Sequence, residues 1–144
     1  MRIAEILRRK GHDVSTVTPD TTVRTLLGVL AQHNIGAVVV SPDNAAIAGI
    51  VSERDVVRRL HEFGDPVLDS PVSAIMTSEV RTCTPADPVD GLRKTMTEHR
   101  IRHLPVVQDG RLVGIVSIGD VVKSAISELA TERQRLTEYI QGRY

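Results

Sequence analysis

Apolar residues in this chain alternate between two rhythms. Val23, Leu26, Leu27 and Leu30 recur at the i, i+3, i+4, i+7 spacing of one helix face. Val89, Leu92 and Met96 repeat that face, with Arg93 where Leu27 stands. After each comes a short β-branched run, Ala37–Val40 and then Leu104–Val107, that reads as a strand. Pro105 cannot donate to a ladder and predicts a strand start or edge. Turn residues follow at Ser41-Pro42-Asp43-Asn44 and at Gln108-Asp109-Gly110. Second strands are predicted over Ala46–Val51 and Leu112–Val116, each opening a helix. Asp87-Pro88 predicts a cap and first turn for the helix at Val89. The proline-bearing stretch 64–71 reads as a linker. A last helix is expected from about Val121 to Ile140. Val122, Leu129 and Leu136 lie seven apart on it, joined by Ala125 or Ile126 and Tyr139 or Ile140. Such a stripe suits a helix that extends past the domain and pairs with something, a second copy included.

The pattern is one unit written twice. Gly49-Ile50-Val51-Ser52 returns as Gly114-Ile115-Val116-Ser117, followed at equal distance by Asp55 and Asp120. Thr16-Val17-Thr18-Pro19 matches Thr82-Cys83-Thr84-Pro85, and His33 and Ile35 match His99 and Ile101. Ile3–Leu7 resembles the opening of the second unit at Val72–Thr77. Each half reads strand, helix, strand, strand, helix. The expected fold is mixed α/β of the α+β type: two βαββα units, 1–68 and 69–144, packed about a pseudo-twofold axis, with a long C-terminal helix.

Composition narrows the function. The 144 residues hold 18 basic and 18 acidic side chains, so formal net charge is zero. That argues against a broad grip on nucleic acid or anionic lipid. Three aromatic residues leave no stacking platform for single strands. Arg8-Arg9-Lys10 reads as a solvated helix end. No apolar run approaches the ~18 residues of a membrane helix. The opening Met1–Arg8 is charged too early for a signal peptide, which predicts a soluble, cytoplasmic protein. The lone Cys83 excludes an internal disulfide, and Val17 at the matching position marks it as an apolar strand site rather than a reactive thiol.

Ser-x-x-Asp after a strand has two readings. One is a capping box, with Ser52 and Ser117 as caps and Asp55 and Asp120 at the third helical position. The other is a nucleoside-phosphate site. There the helix N-terminus and its N–H groups favour an anion, the Gly permits close approach, Ser donates to phosphate and Asp accepts from vicinal ribose hydroxyls. His99 and His103, four apart, lack a third metal ligand and a continuous helix, so no metal is expected. No nucleophile elbow, Walker loop or His-Glu-x-x-His is present, and Ser52 and Ser117 have no local base, so catalysis is not expected either.

Doubled Gly-h-h-Ser-x-x-Asp, each preceded by Thr-x-Thr-Pro and a helix ending near His-x-Ile, resembles a cystathionine-β-synthase (CBS) domain pair, or Bateman module, from about Ile3 to Ser127. The resemblance implies binding of an adenosine-containing ligand (AMP, ADP or ATP, with NAD(H) or S-adenosylmethionine as further options) between the units. It implies that Asp55 and Asp120 hold ribose, and that Ser52 and Ser117 contact ribose or phosphate. Thr16, Val17 and Pro19, with Thr82, Cys83 and Pro85, would flank adenine. Gly36, Ala37 and Val38, with Arg102, His103, Leu104 and Pro105, would contact base or phosphate. Because Arg102-His103 stands opposite the neutral Gly36-Ala37, the Asp120 site is expected to bind better, unless Arg100 and Arg102 are merely a solvated helix end. Arg54 is a candidate to reach a phosphate across the pseudo-twofold, where Glu53 would repel one. The family also implies a regulatory role, a homodimer and an unidentified protein partner acted on in trans. A ligand-free scaffold for assembly is the alternative.

Overall fold

The computed structural model describes residues 1–142. The chain runs α1 (Ile3–Lys10), β1 (Thr16–Val17), α2 (Val23–His33), β2 (Ala37–Val40), β3 (Gly49–Ser52), α3 (Glu53–Phe63), α4 (Val89–His99), β4 (His103–Gln108), β5 (Arg111–Ser117) and α5 (Ile118–Ile140). Each half carries the expected order. In the first, β1 pairs parallel with β2 and β2 antiparallel with β3. The second has the β4–β5 hairpin, and its counterpart of β1 shrinks to one parallel bridge, Cys83 to Val106. Pro105 explains the loss. It matches Val39, the partner of Thr16, and has no N–H for the equivalent bond.

Local chemistry moves three expected boundaries. Asp43 Oδ1 accepts from the N–H groups of Ala45 and Ala46, so this turn takes them out of the ladder and β3 begins at Gly49 rather than Ala46. Asp87 does not cap α4: its carboxylate accepts from Thr84 N–H, Pro88 is the N-cap, and Val89 N–H donates to Met1 O. The stretch 64–71 is no loose linker. It forms a 3-10 turn over Asp65–Asp69 whose Val67 is buried in the first half's core. In the second half, Asp109 and Gly110 both take positive φ, the tight hairpin that Asp-Gly favours.

Two cores form, and the leading segments decide their membership. One holds Val17, Val23, Leu26, Leu30, Val38, Val51 and Val56, with Val72 and Ile75. The other holds Cys83, Val89, Leu92, Met96, Leu104, Val106, Val116 and Val121, with Ile3, Ile6 and Leu7. By sequence α1 precedes the first unit; by packing it completes the second. Matched backbone bonds fix this reciprocal arrangement: Ile3 N–H to Asp87 O at 3.0 Å, and Val72 N–H to Thr21 O at 2.7 Å. Ala4 N–H also donates to Pro85 O, so the Ile3 and Ala4 donors in the first turn of α1 have acceptors.

This packing explains the repeated glycine. A Cβ at Gly114 would lie 2.6 Å from Leu7 Cδ2. At Gly49 it would lie 2.6 Å from Met76 Sδ and 2.8 Å from the Thr77 carbonyl oxygen. The glycines admit the leading segments rather than a ligand. Gly49→Ala is expected to cost about 1–3 kcal/mol by overpacking, because the obstructing oxygen belongs to backbone bonded to Ile50. Gly114→Ala is expected to cost less, since only a leucine side chain must turn. Urea unfolding of the two variants gives the order, and equal losses would contradict it.

Candidate functional site

Both repeated Ser-x-x-Asp pairs form complete capping boxes. Ser52 Oγ accepts from Asp55 N–H at 3.3 Å and Asp55 Oδ2 from Ser52 N–H at 2.8 Å. Ser117 and Asp120 do the same at 3.1 and 2.8 Å. The motif therefore starts helices, and it also sets a carboxylate and a hydroxyl at each helix N-terminus. These capping bonds to the carboxylates use Oδ2; Oδ1 takes no part in them.

What surrounds the two motifs differs. Ser52 and Asp55 open onto a cleft of about 880 Å3 between the halves. It is lined by Gly36, Ala37 and Ile50 from the first half and by the α4–β4 junction, His99–His103, from the second. A third side is Thr77 and Glu79–Arg81, which enter beside β3 through the Ile50–Thr77 bridge. Arg54, Arg58, Arg81, Arg100 and Arg102 line the cleft against Glu53, Asp55 and Glu79. All five arginines are exposed, free to close on an anion.

Asp120 faces a different environment. Lys10 Nζ donates to its Oδ2 at 2.6 Å and to Ile115 O at 2.8 Å. Burial alone would raise the Asp120 carboxyl; the Lys10 ammonium and the Ser117 N–H outweigh it and hold it below the ordinary 3.8. His103 stands between the motifs. Burial pushes its pKa down first, Lys10 and Arg102 add to that, and Asp120 and Glu53 oppose it, so the ring is neutral near pH 7.

Of the predicted site residues, Gly36, Ala37, Ser52, Arg54, Asp55, Arg102 and His103 meet in this one cleft. Arg102 and His103, expected to serve Asp120, thus line the space that holds Asp55. Val17, Val38, Cys83, Leu104 and Pro105 are buried in or beside the sheets. Burial raises the Cys83 thiol to about 12, which keeps it protonated. Thr16 donates to Asn44 Oδ1, and Thr16, Pro19 and Pro85 are half-buried, while Thr82 is exposed. Ser117 and Asp120 lie outside the cleft lining. Sequence reasoning missed Thr77 and Glu79–Arg81, which resemble linker, and Lys10, which resembles a solvated helix end.

The sequence profile of the CBS domain matches residues 3–62 and again 72–127. The chain belongs to the CBS domain family. It is 41% identical to the CBS domain-containing protein CBSX3, mitochondrial, of Arabidopsis thaliana, over 99% of this CBS pair and 73% of that protein. The crystal structure of the CBS-domain containing protein ATU1752 from Agrobacterium tumefaciens superposes with a TM-score of 0.84 at 43% identity, covering 87% of this chain and 99% of that one. The CBS domain protein PAE2072 from Pyrobaculum aerophilum, solved in complex with AMP, gives 0.77 at 33% identity, covering 91% and 99%. Within this CBS pair, no group of three His, Cys, Asp or Glu among the described residues is placed to hold a metal, and no helix is long and apolar enough to cross a membrane.

One cleft residue carries backbone strain. Arg100 closes α4 in the left-handed region at φ 53, where its counterpart Asn34 has φ 52. Asparagine tolerates that conformation and arginine resists it. Arg100→Gly is therefore expected to raise stability by about 0.5–1 kcal/mol. Chemical denaturation of the variant reads the gain. A variant that gains nothing in stability would remove the strain.

Proposed function

We propose that this chain is a regulatory module that binds an adenosine phosphate in the cleft at Asp55. It passes the bound state to a protein partner in trans. The observation that carries this reading is the meeting of Ser52 and Asp55, at a helix N-terminus, with Arg54, Arg58, Arg81, Arg100 and Arg102 around one cleft of about 880 Å3. Asp55 suits two vicinal ribose hydroxyls, and the arginines suit phosphate oxygens. Five arginines against three carboxylates favour AMP, ADP or ATP over the cationic S-adenosylmethionine. PAE2072 with AMP supports an adenosine phosphate. A ligand touching both halves shifts their arrangement by as much as it prefers one arrangement over the other. The hydroxyl–carboxylate contact in the cleft, Ser52 Oγ to Asp55 Oδ2 at 3.1 Å, belongs to the helix cap, which favours a sensor over an enzyme. The proposal includes the cytoplasmic location expected from sequence.

A scaffold role is the second reading, favoured by two observations. The capping boxes account for Ser-x-x-Asp without a ligand. Val122, Ile126, Leu129, Leu136, Tyr139 and Ile140 on α5 are exposed, a face suited to a homodimer contact.

Thermal shift against AMP, ADP, ATP, NAD, NADH and S-adenosylmethionine, with GMP as control, separates the readings. A ligand of the native state adds about 2.7 kcal/mol at a hundredfold excess over Kd. Asp55→Asn is expected to abolish the adenine-selective shift at a stability cost of about 1 kcal/mol or less. No shift with any ligand at millimolar concentration would leave the scaffold.

Protonation of His103 supplies a further check. A phosphate beside this ring raises its pKa, so binding takes up a proton. Affinity for ADP, relative to that of His103→Gln, should rise as pH falls from 8 to 6. The relative form cancels the opposing protonation of the phosphate itself. A ratio flat with pH would separate His103 from the phosphate.

A further inference from the structure

The halves repeat one motif, yet one copy is already engaged by the chain itself. Lys10 ends α1, an element anchored in the second half by the buried Ile3, Ile6 and Leu7 and by backbone bonds to Pro85 and Asp87. The chain just beyond is held as well, with the His12 ring against Val113 O at 3.1 Å. Between these anchors the Lys10 ammonium bridges Asp120 and the Ile115 carbonyl. Both side chains are mostly covered, 33% and 22% exposed. In the first half the leading segment meets β3 differently. Thr77 exchanges backbone bonds with Ile50 at 3.0 and 2.9 Å. No ammonium arrives there, and among the described residues Asp55 bonds only Ser52.

We propose that Lys10 is an internal latch on the Asp120 motif, so that one chain takes up one adenosine phosphate, at Asp55, and a second enters only when Lys10 is withdrawn. The inference rests on the nucleotide reading above and adds a residue that sets stoichiometry. A ribose diol and the Lys10 ammonium compete for the same carboxylate. Displacing the lysine separates a charge-assisted bond beside a half-covered carboxylate, and that cost falls on the incoming ligand. Apparent affinity drops by the fraction of time the latch stands open: a site open about 1% of the time binds about 100-fold more weakly. Where wild type is closed, removing the ammonium while keeping the aliphatic stem opens the site.

Calorimetric titration of the full chain with ADP tests this. Wild type is expected to bind one ADP per chain, Lys10→Met two, and Lys10→Arg, which keeps the cation, one. Asp55→Asn should bind none in the working range, and Asp55→Asn/Lys10→Met one, lost again on adding Asp120→Asn. Two ADP per wild-type chain would overturn the latch. So would one ADP in both wild type and Lys10→Met with none in Asp55→Asn/Lys10→Met, which leaves the Asp55 reading standing. A Lys10→Met chain that binds its single ADP tenfold more weakly would make Lys10 a phosphate ligand and also overturn it. Silence from wild type and Lys10→Met alike would sink the nucleotide reading and the latch together. Circular dichroism melts confirm that each variant is folded, and Lys10→Gln replaces Lys10→Met if the latter is not.

Discussion

Everything in this molecule depends on two leading segments lying against two glycines. Leu7 covers Gly114, and Met76 with Thr77 covers Gly49. Each half's core takes in residues of the segment laid on it, Ile3, Ile6 and Leu7 in one and Val72 and Ile75 in the other. A close-packed interior accepts such an approach only where no Cβ intervenes. Thus the repeated Gly is a packing constraint first. Its consequence for function is indirect: the segment held at Gly49 continues into the arginine-bearing wall of the cleft, and the segment held at Gly114 ends in Lys10.

The capping box and the binding reading are compatible. Capping fixes where each helix begins and holds the aspartate in a single orientation, which a ribose contact would also need. Whether the prepared carboxylate is available to a ligand depends on what the leading segment delivers. Backbone arrives beside Asp55, and an ammonium arrives beside Asp120. Near-equal motifs thereby acquire unequal chemistry. Burial, with Lys10 and Arg102, lowers the pKa of His103 against the opposing pull of Asp120 and Glu53.

Sidedness accounts for most of what could be read early. Helix faces, strand order, the hairpin at Asp109-Gly110 and the Ser-x-x-Asp helix starts are local or periodic, and residue spacing reports them directly. Seven of the expected site residues meet in one cleft for the same reason: each lies at the end of an element whose position the repeat already implied. Boundaries were less legible. Asp43 and Asp87 spend their carboxylates on turn N–H groups that the pattern does not advertise.

The sequence by itself determined the duplication, the order of the main helices and strands and the burial of Cys83, because these follow from spacing and side-chain type. Tertiary structure alone decided which half each leading segment completes, that Arg102 and His103 line the cleft that holds Asp55, and that Lys10 reaches Asp120 across 110 residues of chain. Those outcomes arise from packing between the halves. No periodicity encodes it, since a lysine at a helix end reads as solvated until a half-covered carboxylate is found beside it.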